Sequence, residues 1–520
     1  MTSSEQMETV NESKLMLLKR CLLIALGTLL LCLGVSGVSL WIDEGFSIQL
    51  ADQTSLTSWA HTLSSMHGSE PQMPGYLLYL WVWARFFGTS EWALRLANVP
   101  WALLFTVSLA WGAERALNIR RVWLIICLSP FMWFYMNEAR PYAMVMGLSM
   151  ITTIAVVAYA IDPRRFPRAP WWGILSLLVL WSIHMLTIVL ALSLLLFIYA
   201  MRTVSIRQFV KEWFLPVVVT APCFVCLAAY YSYTLYSGKG GMIVTPGLPN
   251  LAFAIYELLG FGGLGPPRNV LREAPSLHTF FPYLPTLALG VVAFGVVILV
   301  FLLRKRCSTE KRVVFGLFIS LAAGLLVTLT LSYAAHFRVL GRHMATFFPL
   351  FALLLLAGLL TGTALRYRKL VFCALLLLGV AWSISDFRLR LLPSYEKDDY
   401  RDAAALARNA LARGEPVLWL GYTETARYYG LRITEVQRSE DVGPPDARAA
   451  VFGACSRAWF EQSLQEHRPV LVVISDKPDL FDPDGNCRRT LDSLRMEHVA
   501  SFPAFDAWQV TGVKSSSEKF

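Results

Sequence analysis

The sequence predicts a mainly α-helical, multi-pass membrane protein with a small α/β domain at its carboxyl end. Hydrophobic residues make up 56% of the 520 and charged ones only 16%, with a mean hydropathy of +0.51, far from the average of a soluble globular chain. Apolar runs recur along the first 391 residues at lengths that suit a bilayer. After Leu391 the composition turns abruptly mixed and charged and stays so.

Runs at 21–41, 93–114 and 370–387 are long enough to cross. Where polar residues interrupt the others, reading the breaks as boundaries adds spans near 122–136, 141–161, 171–183, 185–201, 213–232, 284–303, 313–335 and 344–365, about eleven in all. The piece from Tyr76 to Phe87 is too short, since about 12 residues of helix rise only about 18 Å against a hydrocarbon core of about 30 Å. It reads as an interfacial helix in the first outer loop.

Leaving that piece out of the count places Lys14/Lys19/Arg20, Arg115/Arg120/Arg121, Arg164/Arg165/Arg168, Arg202/Arg207/Lys211, Arg304/Lys305/Arg306/Lys311/Arg312 and Arg366/Arg368/Lys369 on one side. The positive-inside rule makes that side cytoplasmic, with the amino terminus inside and the carboxyl-terminal domain outside. The net charge of +10 is thereby spent on orientation, and nucleic acid is not an expected partner. The first apolar run reads as a retained anchor rather than a cleaved signal. Residues 1–13 are polar and expected to be disordered.

The expected organisation is a cytoplasmic tail over 1–20, a membrane region over 21–391, an outer α/β domain over 392–513 and a loose tail over 514–520. In the outer domain Tyr400–Arg413 and Ser456–His467 read as helices, and the runs 416–421 and 469–474 as buried strands. The nine cysteines show no CxxC spacing. Cys455 and Cys487, alone in the outer domain, are either joined as a disulfide or left as two thiols.

With this topology the outward-facing polar residues form an uneven set. Asp43 and Glu44, in Trp-Ile-Asp-Glu-Gly, stand side by side just past the first apolar run, where a paired acid is costly enough to suggest a reaction site. The same loop adds Glu70 and Gln72. Farther on come Arg95, the segment Tyr135-Met-Asn-Glu138-Ala-Arg140-Pro-Tyr142, His184 between two apolar runs, and Arg338, Arg342 and His343 in the outer hairpin near 336. Carboxylates can accept a proton from a hydroxyl nucleophile. Arginines near the leaflet can hold an anionic, lipid-borne group such as a phosphate by paired hydrogen bonds.

Each residue also has a plainer reading. Asp43 alone could be a solvated loop acid, Glu138 and Arg140 a structural ion pair, and His184 a hydrogen-bonding residue in a helical hairpin. Tyr76, Tyr79, Trp81, Trp83, Phe86 and Phe87 read better as an interface belt than as a sugar-stacking wall. Only the ensemble favours chemistry.

The acid pair in Trp41-Ile-Asp-Glu-Gly, the helix from Pro74-Gly-Tyr-Leu-Leu-Tyr to Phe87-Gly-Thr-Ser-Glu-Trp-Ala-Leu-Arg95, the Glu138-Ala-Arg-Pro-Tyr142 segment and Arg342-His343 together resemble the membrane glycosyltransferases of the GT-C superfamily. The likeness is to the bacterial branch of protein O-mannosyltransferases, lipid A aminoarabinose transferases and Rgt-type galacturonosyltransferases. It implies a GT-C membrane fold and inverting transfer of one sugar from a polyprenyl-monophosphate carrier to a lipid, glycan or protein acceptor on the outer face of the cytoplasmic membrane.

The resemblance makes Asp43 the base and gives Glu44 an orienting role. It makes Arg95, Arg140, Tyr142, Arg338 and Arg342 candidates for the carrier phosphate, and leaves Glu70, Gln72, Glu138, His184 and His343 as further candidates for substrate contact. Where many relatives have a His before the interfacial helix, this chain has Gln72, a poor ligand for a transition metal. No obligatory metal or other cofactor is therefore expected. The rival readings are a transporter or lipid flippase, and a ligase using a polyprenyl-diphosphate glycan donor.

Overall fold

The computed structural model describes residues 3–119, 121–239, 246–273, 276–361, 367–436, 446–453, 455–466 and 468–514. Arg120, Arg366, His467 and the expected loose tail from 515 onward lie outside the described residues. The chain divides into two compact units: Met1–Ser36 with Gln53–Leu391, and Gly37–Asp52 with Leu392–Phe520. The 16 residues 37–52, expected within the membrane region, thus pack with the carboxyl-terminal unit.

The first unit is helical. Seven helical stretches among the described residues are long and apolar enough to cross a membrane: Lys14–Cys32, Glu91–Arg115, Tyr142–Ile161, Ile206–Tyr236, Leu277–Leu303, Ser308–Ala335 and Arg368–Leu391. Ala169–Ile183, Met185–Met201 and Phe348–Leu360 are shorter apolar helices. The expected span at 122–136 is broken, a 3-10 turn over Val122–Leu128 giving way at Ser129 to a short helix Pro130–Met136. Proline fixes that restart, because it lacks an N–H and turns the residue before it away from helix. All eleven expected segments are helical in part, but seven meet the length.

Two further expectations are corrected. The polar residues from Ser3 onward continue the first helix, Ser3–Cys32, rather than standing apart from it. That helix stops at Cys32, short of the expected boundary at 41, and Ser36 turns to Asn137, whose Oδ1 accepts the Ser36 N–H and Oγ–H at 2.8 Å each. The short Pro74–Phe87 helix has 14 residues, starts on a proline and ends at Gly88, whose φ of 81° suits glycine.

Tyr142–Ile161 is enclosed on nearly all sides. Small and hydroxyl residues permit this: a side chain at Gly147 would meet the Trp101 carbonyl at 2.9 Å, and Thr152 and Ser176 hydroxyls bond at 2.8 Å. Because the helix begins two residues after Arg140, its packing fixes where that arginine emerges.

The second unit contains one six-stranded sheet. Its strands are β1 (Val417–Leu420), β2 (Ile433–Glu435), β3 (Ala450–Phe452), β4 (Val470–Ser475), β5 (Leu494–Phe502) and β6 (Phe505–Val513), in the order β2-β3-β1-β4-β6-β5. The first four positions are parallel, and β6 and β5 complete the sheet as an antiparallel pair. β1 is wholly buried and β4 nearly so, as continuous apolar runs in a covered parallel sheet should be. The helix Tyr400–Ala412 begins at Asp399, whose side chain accepts the Asp402 N–H, and lays Ala403, Ala404, Ala407 and Ala410 against the sheet. Cys455 and Cys487 are joined as a disulfide.

Candidate active site

The acid pair lies at the start of the helix Ile42–Ala51, with Trp41 extended at its N-cap. Asp43 and Glu44 occupy the first turn, where the exposed amides and helix dipole favour negative charge. Glu44 is wholly buried, and its Oε2 accepts the Trp41 backbone N–H at 3.3 Å, so it satisfies one orphan amide of the helix start. Asp43 keeps partial exposure. The two acids therefore differ in enclosure: Glu44 is wholly buried, while Asp43 sits nearer solvent.

This helix is built into the α/β unit. Ile42 belongs to the core of Tyr400, Trp419 and Phe505, and its N–H reaches Asp398 Oδ2 at 3.3 Å. Asp398 is held in turn by Lys477 at 2.6 Å. Tyr429 Oη accepts the Leu40 N–H at 2.8 Å, and Arg401 Nη2 donates to the Gly37 carbonyl at 2.6 Å. Gly45 is required by close approach, because a Cβ there would overlap Thr425 Oγ1. The Phe46 ring rests on Tyr422 at 4.3 Å between centroids.

In the helical unit, Glu70 and Gln72 form a buried 3-10 turn stiffened by Pro71, whose carbonyl accepts Tyr230 Oη–H at 2.9 Å. Arg140 Nη1 donates to Glu70 Oε1 at 3.2 Å, and both side chains are buried. Arg140 thus pairs with Glu70, 70 residues earlier in the chain. Asn98 anchors the turn before Arg140, donating to the carbonyls of Met136 at 3.1 Å and Glu138 at 2.7 Å. Arg95, buried at 1% exposure, donates to the Ser36 carbonyl at 2.9 Å.

His184 caps the Ala169–Ile183 helix, and His343 lies in the 3-10 turn Gly341–Thr346 beside Arg342. His184, Arg342 and His343 are all part-exposed. The His184 pKa falls to about 3, first through burial and then through the positive charges of Arg342 and Arg140. His184 retains some accessible surface, but the surrounding protein is dense enough to disfavour the imidazolium. His343 is lowered well below the usual value by burial, by Arg342 and by His184. These mutual influences place Arg140, His184, Arg342 and His343 in one neighbourhood.

Tyr142 is buried, its ring edge-on to Tyr135 at 4.9 Å. Tyr135 belongs to a group that the sequence reading missed, with Glu257, Arg268 and Glu138 within electrostatic reach. Arg268 Nε donates to Glu257 Oε1 at 2.8 Å, and its guanidinium lies 4.6 Å over the Phe134 ring. A Cβ at Gly341 would overlap Glu257 Oε2 and lie 3.1 Å from Tyr135 Oη, which sets Glu257 against the turn carrying Arg342. An acid within the apolar, glycine-rich stretch 248–266 was the available signal. Arg338 stands apart on an exposed loop. Among the described residues no three His, Cys, Asp or Glu side chains group as metal ligands.

No family model and no curated protein matches the chain. Among solved structures it is similar to the crystal structure of ArnT from Cupriavidus metallidurans bound to undecaprenyl phosphate, at 12% identity and a TM-score of 0.49 over 94% of this chain and 97% of that one. It is also similar to the cryo-EM structure of arabinofuranosyltransferase AftD from Mycobacteria, at 13% identity and a TM-score of 0.41 over 96% of this chain and 40% of that one.

Proposed function

We propose that the chain is a GT-C-type membrane glycosyltransferase that moves a single sugar from a polyprenyl-monophosphate carrier to a lipid, glycan or protein acceptor on the outer face of the cytoplasmic membrane. The observation that carries this reading is the gathering of Arg140, Arg342, His184 and His343 in the helical unit, with two guanidiniums and two imidazoles held neutral. Such a group favours an anion and offers it several donors. The disulfide Cys455–Cys487 supports an oxidising compartment for the α/β unit, in keeping with the outer side.

The acceptor hydroxyl attacks the anomeric carbon, the bond to the phosphate oxygen breaks on the opposite face, and configuration inverts. Asp43 takes the acceptor proton, being the less enclosed acid of the pair. Arg140 and Arg342 hold the carrier phosphate, and Tyr142, Arg95 and Arg338 are secondary candidates. Arg338 ranks lower because of its exposure.

Purified protein should release sugar from labelled polyprenyl-phosphate sugar and pass it to an acceptor fraction from the same envelope. Transfer from a polyprenyl-diphosphate glycan alone would instead assign a ligase. Movement of labelled lipid between leaflets without sugar release would assign a transporter. Mass spectrometry of lipid A, cell-wall glycan and secreted glycoproteins from a deletion strain identifies the acceptor.

A further inference from the structure

His184 and His343 share one arrangement that determines their chemistry. At the end of its helix His184 takes extended backbone, φ −157° and ψ 127°, and its Nδ1 accepts the N–H of Leu186 at 3.2 Å. His343 turns its Nδ1 onto the N–H of Leu340 at 3.1 Å, with its ring edge-on to Phe337 at 5.6 Å. A backbone N–H can only donate, so each Nδ1 must present a lone pair and each ring proton must sit on Nε2. A second proton on either ring would cost it this hydrogen bond.

Among the described residues neither Nε2 has a hydrogen-bond partner, and both rings are partly accessible. Arg342 precedes His343 in the same turn, and the other guanidinium of the neighbourhood, Arg140, meets the acid Glu70 through Nη1. These guanidiniums and the two Nε2–H groups are all donors, and with each Nδ1 engaged neither imidazole has an acceptor left to offer.

We propose that His184 and His343 are fixed Nε2–H donors to the phosphate oxygens of the lipid carrier, and act neither as acid, base nor metal ligand. This rests on the glycosyl-transfer reading above. As the acceptor oxygen bonds to the anomeric carbon, the electron pair of the breaking C–O bond goes to the phosphate oxygen and the acceptor proton goes to Asp43. The carrier changes from a phosphodiester monoanion to a phosphomonoester dianion without receiving a proton. Donors that strengthen as this charge develops lower the barrier.

Amide surrogates separate this role from a structural one. Glutamine carries its amide nitrogen near the Nε2 position, whereas asparagine places its amide near Nδ1 and can still accept the turn's backbone N–H. Binding of plain polyprenyl phosphate is measured with the full chain in detergent for His184→Gln, His184→Asn, His343→Gln and His343→Asn, alongside turnover and thermal unfolding. The donor role predicts near wild-type affinity in the Gln variants and a loss of about 10- to 100-fold in the Asn variants, as for a hydrogen bond to a charged group. Weak binding in a folded Gln variant, or normal binding in a folded Asn variant, overturns it. The two positions are tested independently, so misfolding at one leaves the other decisive. Carrier binding with this pattern but no sugar transfer would remove the glycosyltransferase reading while leaving the donor assignment standing. Transfer with the reversed pattern would do the opposite.

Discussion

Arg140 and Glu70 are joined at 3.2 Å while both are almost fully enclosed, so each compensates a charge that the other would leave stranded. Removing one partner of a buried pair costs about 3–5 kcal/mol because an uncompensated charge remains. Glu70→Ala should therefore lower the apparent melting temperature in detergent sharply, and Glu70→Gln, which keeps an acceptor, clearly less. Equal melting of both variants and the parent would mean that Glu70 does not hold Arg140 in place.

The acids of the first turn should separate on mutation. Asp43→Asn should reduce sugar transfer by about 100- to 10,000-fold, the usual contribution of a general base. Glu44→Gln still offers an oxygen to the Trp41 N–H and should fold normally, whereas Glu44→Ala loses the cap, worth about 0.5–2 kcal/mol. Near wild-type transfer by both Asp43→Asn and Glu44→Gln in membranes would end the proposal of a base in this pair.

Gly45 and Thr425 test how the acid pair is held. Gly45→Ala places a methyl group onto Thr425 Oγ1, and overpacking of this kind costs about 1–3 kcal/mol. Gly45→Ala combined with Thr425→Ala should recover part of that loss, read as the thermal stability of the purified chain. If the double variant is no better than the single, the clash is relieved elsewhere.

Acid sensitivity follows from the histidines. His184 remains neutral in the folded chain down to about pH 3, while an ordinary imidazole takes up a proton near 6.5. Between those values the unfolded chain binds more protons, so this contribution to stability is complete above about pH 6.5 and is lost as the pH falls towards 3. His343, shifted in the same direction, adds to it. Apparent melting temperature should drop from pH 7 to pH 5, and the drop should be shallower in His184→Gln and His343→Gln. An identical slope in parent and variants would contradict the assignment of neutral rings.

The sequence by itself determined the helical membrane class, the positions of the apolar segments and the α/β character after Leu391, because hydropathy and periodicity are local properties of a chain. It also singled out Asp43, Glu44, Arg140, His184 and Arg342-His343 as polar residues at segment ends. Tertiary structure alone decided their partners: Glu70 as the ion-pair partner of Arg140, the membership of residues 37–52 in the carboxyl-terminal unit, and the group of Tyr135, Glu257 and Arg268. These pairings join residues that are distant in sequence, so no local pattern records them. Length was misjudged where a single proline, Pro130, breaks an apolar run into two short pieces. The proton position on the two histidine rings was likewise decided by folding, since which ring nitrogen carries the proton depends on the backbone amide that each Nδ1 meets.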